Sequence, residues 1–147
     1  MDSDDYISAN AIELLADAAV QKRPDFVIGN YEVTGARRWA PPLSLGTGFY
    51  EGNALVLSTY VQGKWYVMAW NKLVSRPLVL QHKLYFQEGI VHEDDLWSFK
   101  LACMSQSMYV VNETTYYYSM QPDSIMRAPS MRNLECRVLV LGYIYDF

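Results

Sequence analysis

Residues 2–33 decide the fold and read DSDDYISANAIELLADAAVQKRPDFVIGNYEV. From Ser8 to Gln21 apolar residues recur at helical spacing, with Ser8 as a candidate cap and two cations at the helix end. Pro24 stops that helix, and Phe26 to Val33 then alternates like a β-strand. A helix that leads directly into a strand predicts an α/β protein.

The rest of the chain continues this alternation. Further helices are expected at residues 52–61, 76–83, 94–105 and 130–143, and short strands at residues 67–74, 108–111 and 115–120. Gly35 to Gly48 is rich in Gly, Pro and Arg and predicts a loop. Because the sequence contains no internal repeat, low-complexity tract or linker, residues 1–147 are expected to form a single domain.

Composition and charge narrow the class of protein. The 147 residues carry a net charge of -4, which argues against a nucleic-acid partner because such proteins usually present a basic face. The N-terminus is acidic, unlike a signal peptide, and no apolar run approaches the ~20 residues of a membrane span. Cys103 and Cys136 lack the spacing of metal ligands. We therefore expect a reduced, cytoplasmic protein, although these residues alone leave a disulfide open.

The first candidate site is the acidic tetrad Asp2-Ser3-Asp4-Asp5. Clustered carboxylates repel one another, and a cation relieves that repulsion. Hard ions such as Mg²⁺ and Mn²⁺ take oxygen ligands and bridge to diphosphates. A cation held here would neutralise a leaving nucleoside diphosphate. The alternative is a group of solvated charges ahead of a helix whose N-terminus favours acids.

The second candidate site is the run GIVHEDDLW at residues 89–97, which places Glu93, Asp94 and Asp95 at the start of an amphipathic helix. Sugar transfer to a hydroxyl group needs a carboxylate that takes the proton as the hydroxyl attacks. Inversion of configuration needs one such base and no enzyme nucleophile. Neighbouring carboxylates and an apolar Trp can tune its proton affinity. The alternative is a helix N-terminus capped by an acid. His92 could orient a neighbouring side chain or be a turn residue, and the second interpretation is favoured.

Together these motifs resemble family 2 glycosyltransferases. The acidic tetrad, followed by an aromatic residue and a helix, is similar to the family's metal motif. Bacterial members carry a Trp-Asn-Lys-Leu segment, matched at residues 70–73, and a Phe-x-Glu-Gly-Ile-x-x-Glu-Asp run, matched at residues 86–94. A Tyr-rich strand and a Ser-Ile pair follow, matched at residues 116–118 and 124–125. Four motifs in the family's order make a specific signal over residues 2–127.

The resemblance implies a fold and a set of roles. It implies an α/β fold with a partial GT-A-like mixed sheet flanked by helices. In that family the Asp-x-Asp pair handles the metal and the diphosphate, which implies Asp2 and Asp4 as ligands and Asp5 as a helper. The Asp of the Glu-Asp pair is the usual base, which implies Asp94 with Glu93 as its neighbour. The expected cofactor is Mn²⁺ or Mg²⁺.

The resemblance also implies a substrate pocket. Trp70, Asn71 and Lys72 would lie near the donor or the acceptor, with Lys72 able to meet phosphate or acceptor hydroxyls and Asp95 as a further contact. A packed Trp beside a solvated Lys is the structural alternative. The expected substrates are a nucleotide-diphospho-sugar donor and a glycan or glycolipid acceptor. Peripheral association with the inner face of the membrane is expected for the intact enzyme.

The departure from the family pattern concerns the nucleotide-binding half. Members open with a strand ending in Pro-x-Tyr-Asn and carry a later Asp-Gly-Ser-like turn, which bind the nucleoside, and neither occurs here. About three βα units, on the order of 90 residues, are therefore expected to be missing. We expect the isolated chain to be inactive and to self-associate through uncovered sheet edges and apolar faces. The alternatives are a non-catalytic carbohydrate-binding module and an assembly subunit that supplies the acceptor half to another chain.

Overall fold

The computed structural model describes residues 4–35, 43–120 and 130–147. In chain order the elements are β1 (Tyr6–Ile7), α1 (Ala11–Lys22), β2 (Phe26–Gly35), β3 (Gly48–Glu51), α2 (Asn53–Val61), β4 (Lys72–Val74), α3 (Arg76–His82), α4 (Glu93–Met104), β5 (Ser107–Met120) and α5 (Met131–Asp146). Asp2 of the acidic tetrad lies outside the described residues. Among the helices of these ranges, none is both long and apolar enough to cross a membrane.

Two long parallel strands form the centre of a mixed sheet. β2 and β5 pair in parallel, from Phe26 opposite Met108 to Gly35 opposite Met120. β4 pairs antiparallel with the other edge of β2. β1 and β3 both pair antiparallel with β5, and they share one of its edges because β2 occupies the other. The expected mixed sheet flanked by helices is confirmed.

The first four residues of β2, 26–29, are covered on both faces, which explains why they are continuously apolar where the sequence predicts alternation. Val27 packs with Leu15 and Ala18 of α1 on one face of the sheet. Phe26 and Ile28 belong to a larger core on the other face, to which α2, α3, α4 and the segment before β4 contribute. Strands buried on both faces read as nearly continuous apolar runs. The sheet therefore lies between α1 on one face and α2, α3 and α4 on the other.

β5 is one strand where the sequence predicts two. Asn112-Glu113 resembles a turn, but Ser107–Met120 is continuous, and its register with β2 shifts on either side of Asn30. The side-chain amide of Asn30 donates to the carbonyl and the side-chain oxygen of Asn112 at 3.3 and 3.1 Å. A Cβ at Gly29 would lie 2.1 Å from Oγ1 of Thr115, so the close approach requires glycine. Pairing with β2 thus absorbs the expected turn as a bulge.

The segment before β4 is largely a loop where the sequence predicts a strand. Only residues 72–74 of the expected stretch pair as a strand. The loop is held by side chains instead, because the indole N–H of Trp65 donates to Oγ1 of Thr59 at 3.0 Å and the hydroxyl of Ser98 donates to the carbonyl of Val67. β3 lies at the end of the expected loop and before the expected helix, and pairing with β5 defines it.

Candidate functional site

Trp70 lies in an aromatic group on the sheet. Its ring stacks on Tyr116 with centroids 4.0 Å apart and planes 15° apart, and lies nearly parallel to Tyr118 at 5.8 Å. Tyr31 of β2 meets it edge-on at 5.1 Å. Tyr116 and Tyr118 project to the same face because side chains alternate along a strand. The Tyr-rich strand therefore supports the Trp-Asn-Lys segment.

Asp5 joins the N-terminal acidic tetrad to this aromatic group. Its Oδ2 accepts a hydrogen bond from the hydroxyl of Tyr116 at 2.6 Å, and its Oδ1 accepts one from the backbone N–H of Ser119 at 2.7 Å. Asp5 is only 8% exposed, whereas Asp4 beside it is exposed. Hydrogen bonds of this kind offset the cost of burying a carboxylate. Asp5 thus anchors the chain on β5, next to Asp4.

Asp4 is the described member of the predicted metal pair that a cation could reach. In the described ranges, no group of three or more His, Cys, Asp or Glu side chains could hold a metal ion. Mg²⁺ is, however, often bound by one or two carboxylates together with substrate phosphates and water. The exposed Asp4 fits that mode, with Asp5 fixed behind it. The metal assignment of Asp2 and Asp4 stays a prediction.

Asn71 and Lys72 are held by the interior of the protein. The side-chain amide of Asn71 donates to the carbonyl of Gly29 at 3.0 Å. The Nζ of Lys72 donates to the carbonyl oxygens of Tyr66, at 2.7 Å, and Met68, and to Oδ1 of Asn71 at 3.1 Å. All three N–H groups of the ammonium therefore have acceptors within the protein. Lys72 is not the solvated lysine of the structural alternative.

α4 begins on the second acidic cluster, with Glu93, Asp94 and Asp95 in its first turn. Burial raises the pKa of Asp94, and the charges of Asp95 and Glu93 raise it further, while hydrogen bonds from the backbone of that turn oppose the change. Burial also raises the pKa of Asp95, against the charges of His92 and Arg137. A raised proton affinity suits a general base that works near neutral pH.

His92 precedes this cluster in a left-handed backbone conformation with a φ of 70°, which is uncommon for a residue other than glycine. That conformation agrees with its interpretation as a turn residue. Its imidazole is also buried, at 7% exposure, and among the described residues Nε2 has no hydrogen-bond partner. His92 therefore fills space at the start of α4 from within the protein.

Two tyrosines of the site are missed by sequence reasoning. Burial raises the pKa of Tyr60 to about 12, and the charge of Asp95 is the largest electrostatic contribution. Tyr116 bonds Asp5 and stacks on Trp70. The alternate spacing of the tyrosines in β5 is a signal that could have identified Tyr116. No local signal marks Tyr60, because the packing of α2 against α4 brings it to the acidic cluster.

The structure brings the predicted residues into two adjoining groups. Asp5 connects through Tyr116 to Trp70. Lys72 lies close enough to α4 for the carboxylate of Asp94 to favour its charged form. Trp70 and Lys72 are separated by one residue, so a three-residue segment links two acidic clusters that are far apart in sequence.

Comparison with known proteins identifies a related enzyme. No family model matches the sequence. The chain is similar to the glycosyltransferase GlyG of Streptococcus pneumoniae serotype 4, with 24% identity over 147 aligned residues that cover 86% of this chain and 44% of GlyG. The chain therefore spans less than half the length of this relative.

Solved structures show the same fold. TarS of S. aureus in complex with UDP-GlcNAc has a TM-score of 0.74 at 17% identity, over 99% of this chain and 42% of TarS. TarS in complex with UDP has a TM-score of 0.73 at 18% identity, over 99% of this chain and 38% of TarS. The predicted resemblance to the C-terminal portion of a glycosyltransferase is thereby confirmed in sequence and in fold.

Proposed function

We propose that the chain is the acceptor-side part of an inverting family 2 glycosyltransferase that uses a nucleotide-diphospho-sugar, with Asp94 as the general base. One observation carries this function: the segment Trp70-Asn71-Lys72 touches the N-terminal acidic group through Tyr116 and lies beside Asp94 on its other side. The donor class is supported by TarS, whose structures hold UDP-GlcNAc and UDP. Trp70 would line the pocket, with Asn71 buried behind it and Asp95 as a further contact.

The proposed reaction is a single displacement. The acceptor hydroxyl oxygen bonds to the anomeric carbon of the donor while the bond from that carbon to the diphosphate oxygen breaks. The hydroxyl proton passes to the carboxylate of Asp94, and the nucleoside diphosphate leaves with the electron pair. Burial beside Asp95 and Glu93 lets Asp94 hold that proton more readily than a solvated aspartate does. One displacement inverts the configuration at the anomeric carbon.

A divalent cation is proposed at the other acidic cluster. Mn²⁺ or Mg²⁺ held by Asp2 and Asp4 would neutralise the diphosphate when bound. The exposed carboxylate of Asp4 supports this role. Asp5 would help through position, because both of its oxygens already accept hydrogen bonds from β5.

The decisive experiment fuses this chain to an upstream nucleotide-binding half and compares wild type with Asp94→Asn. We expect transfer to fall by about 10²–10⁴-fold, because the proton acceptor is lost, while donor affinity in calorimetry changes little. The matched control is Asp17→Asn, an exposed aspartate on α1, which should transfer like wild type. Equal loss of transfer and donor affinity would instead make Asp94 a structural residue or a metal ligand.

A glycan or glycolipid acceptor and a cytoplasmic location at the inner face of the membrane are proposed for the longer enzyme. The aromatic group around Trp70 supports a sugar acceptor, since Trp and Tyr combine apolar faces with hydrogen-bonding groups. Co-sedimentation of the fused enzyme with vesicles that carry a glycolipid tests both the binding of the acceptor and the association with a membrane surface. Binding to vesicles with and without the sugar headgroup to the same extent would argue against a glycolipid acceptor.

Self-association is proposed through α5. Its outward stripe has side chains that are 58–90% exposed: Met131, Leu134, Val138, Leu141 and Tyr145. Their alternating spacing of three and four residues is typical of a helix that pairs with another helix. The opposite face already packs inside the chain through Cys136 and Val140. Apolar stripes on both sides of a helix indicate that the outer one is also covered, and a second copy presents the same stripe.

Sedimentation velocity tests this association. The wild-type chain should sediment faster as its concentration rises, and Leu134→Glu combined with Leu141→Glu should keep it monomeric. Glu13→Gln, at an exposed position of α1, serves as the control. A wild-type chain that stays monomeric at all concentrations would refute self-association.

A further inference from the structure

We propose that Lys72 is a positioning residue, whose ammonium group locks the loop of residues 65–71 and supplies the positive charge next to Asp94 in the first turn of α4. This inference rests on the proposed function only in naming Asp94 as the base. The contacts of Lys72 themselves are independent of that role.

The lock consists of oxygen atoms gathered around one nitrogen. Nζ of Lys72 donates to the carbonyls of Tyr66 and Met68 and to Oδ1 of Asn71, and it lies 5.3 Å from the centre of the Trp65 ring. An ammonium group has three N–H donors, whereas a neutral amine has two and a lone pair that an oxygen repels. Three oxygen acceptors and an aromatic face therefore select the charged form. Without that charge, the carbonyls of the loop would lose their shared donor.

The locked loop is joined to the helix that carries Asp94. The hydroxyl of Ser98 in α4 donates to the carbonyl of Val67 at 2.5 Å, within the loop. A shift of the loop would therefore be passed to α4. Asn71, which accepts from Lys72, also donates to the carbonyl of Gly29 in β2. Lys72 thus connects the sheet, the loop that carries Trp70 and the helix of the proposed base.

The charges around the first turn of α4 divide into two sets. The charge of Asp94 raises the pKa of Lys72 in β4. The pKa of Asp95 is instead lowered by His92 and by Arg137 of α5, against the effect of burial. Within the described part of the chain, Glu93 on α4 and Tyr60 on α2 also interact with the carboxylates of this turn. Removing Lys72 would take away the cation with which the carboxylate of Asp94 interacts, while the two like charges of the turn remain.

The protonation equilibrium of the Lys72 amine lies close to neutral pH. Burial lowers the pKa of Lys72 to about 7, and the carboxylate of Asp94 works in the opposite direction. The charge of Asp94 therefore helps to keep the lock charged, and interacting groups of this kind titrate as a pair.

The first experiment follows the side-chain carbon next to Nζ of Lys72 by NMR during a pH titration of this chain. We expect a transition near pH 7 in wild type and a pKa lower by about 1 in Asp94→Asn, since an opposite charge has been removed. Asp17→Asn, at an exposed position of α1, should leave the pKa of Lys72 unchanged. A Lys72 whose pKa is the same in wild type and in Asp94→Asn overturns the inference.

The second experiment compares Lys72→Met and Lys72→Arg in the fused enzyme. Loss of the cation should move the acidic limb of the kcat profile upward by about 1 pH unit in the Met variant, because Asp94 then holds its proton more tightly. The Arg variant, which keeps the charge, should restore the wild-type limb in part. An unmoved limb with intact transfer overturns the inference and leaves the proposed function standing. If Asp94→Asn shifts the pKa of Lys72 but the fused enzyme transfers no sugar, the proposed function is refuted and this inference stands. If Lys72→Met fails to fold, the NMR titration of Asp94→Asn still tests the inference.

Discussion

Asp5 and Asp94 lie at the two ends of the candidate site, and the surroundings of the buried Asp5 differ from those of the half-buried Asp94. Asp5 is surrounded by donors, since a tyrosine hydroxyl and a backbone N–H occupy both of its oxygens. Asp94 shares one helical turn with two other carboxylates, and burial and their charge raise its pKa. The same side chain thus serves as an anchor where donors outnumber charges and as a candidate base where charges crowd together.

The comparison also separates stability from reactivity. A buried carboxylate that accepts two hydrogen bonds stabilises the fold, and removing it takes this acceptor from both donors. A carboxylate crowded by like charges destabilises the folded state and binds a proton more tightly than a solvated carboxylate does. Substitutions at the two ends should therefore have opposite signs in the free energy of unfolding.

The largest effect is expected for Asp5→Ala. It leaves the hydroxyl of Tyr116 and the N–H of Ser119 without this acceptor, so we expect a loss of about 3 kcal/mol in the free energy of unfolding. Urea denaturation followed by Trp fluorescence measures this loss. Asp5→Asn keeps one acceptor oxygen, so its free energy of unfolding should lie between those of Asp5→Ala and wild type. A wild-type midpoint in Asp5→Ala would show that these hydrogen bonds do not hold β1 on β5.

A smaller effect of the opposite sign is expected for Asp94→Asn. Because folding raises the pKa of Asp94, the folded state binds its proton more tightly, and stability is lost as pH rises from about 4 through the folded pKa. Above that pKa the Asn variant should be more stable than wild type by about 0.5 kcal/mol, and the difference should vanish in acid. Thermal melts between pH 4 and 8 test this, and a variant less stable than wild type at pH 7 would reverse the assignment.

The smallest effect on stability is expected for Asp4→Ala. Asp4 is exposed, so the free energy of unfolding should change by less than about 0.5 kcal/mol, in contrast to its neighbour Asp5. In the fused enzyme, the same change should weaken the Mn²⁺-dependent part of donor binding in calorimetry. Donor affinity that is indifferent to both Mn²⁺ and Asp4→Ala would remove the metal assignment.

Local patterns predicted a large part of the fold. Apolar spacing and a proline predict α1 and β2, and both elements occur within a few residues of the expected bounds. The same holds for α2, α3, α4 and α5. Each of these elements is specified by neighbours in sequence through periodicity, whereas the cap expected at Ser8 is wrong, because α1 begins at Ala11 after Asn10. The acidic start of α4 was likewise visible, because three carboxylates in a helical first turn are a local feature.

Tertiary structure alone decided how these parts meet. Asn112-Glu113 became a bulge because β2 holds both halves of β5 in register, and no local pattern contains that neighbour. Tyr60 reached the acidic cluster through the packing of α2 on α4.

The sequence by itself determined which residues carry acid, aromatic and amide groups, and the helices and strands that hold them. Only the tertiary structure decided that Asp5 is an anchor and that Lys72 is enclosed by carbonyl oxygens beside Asp94. The physical reason is that the role of a charge depends on the donors, acceptors and solvent around it. Those surroundings are assembled from residues far apart in the chain.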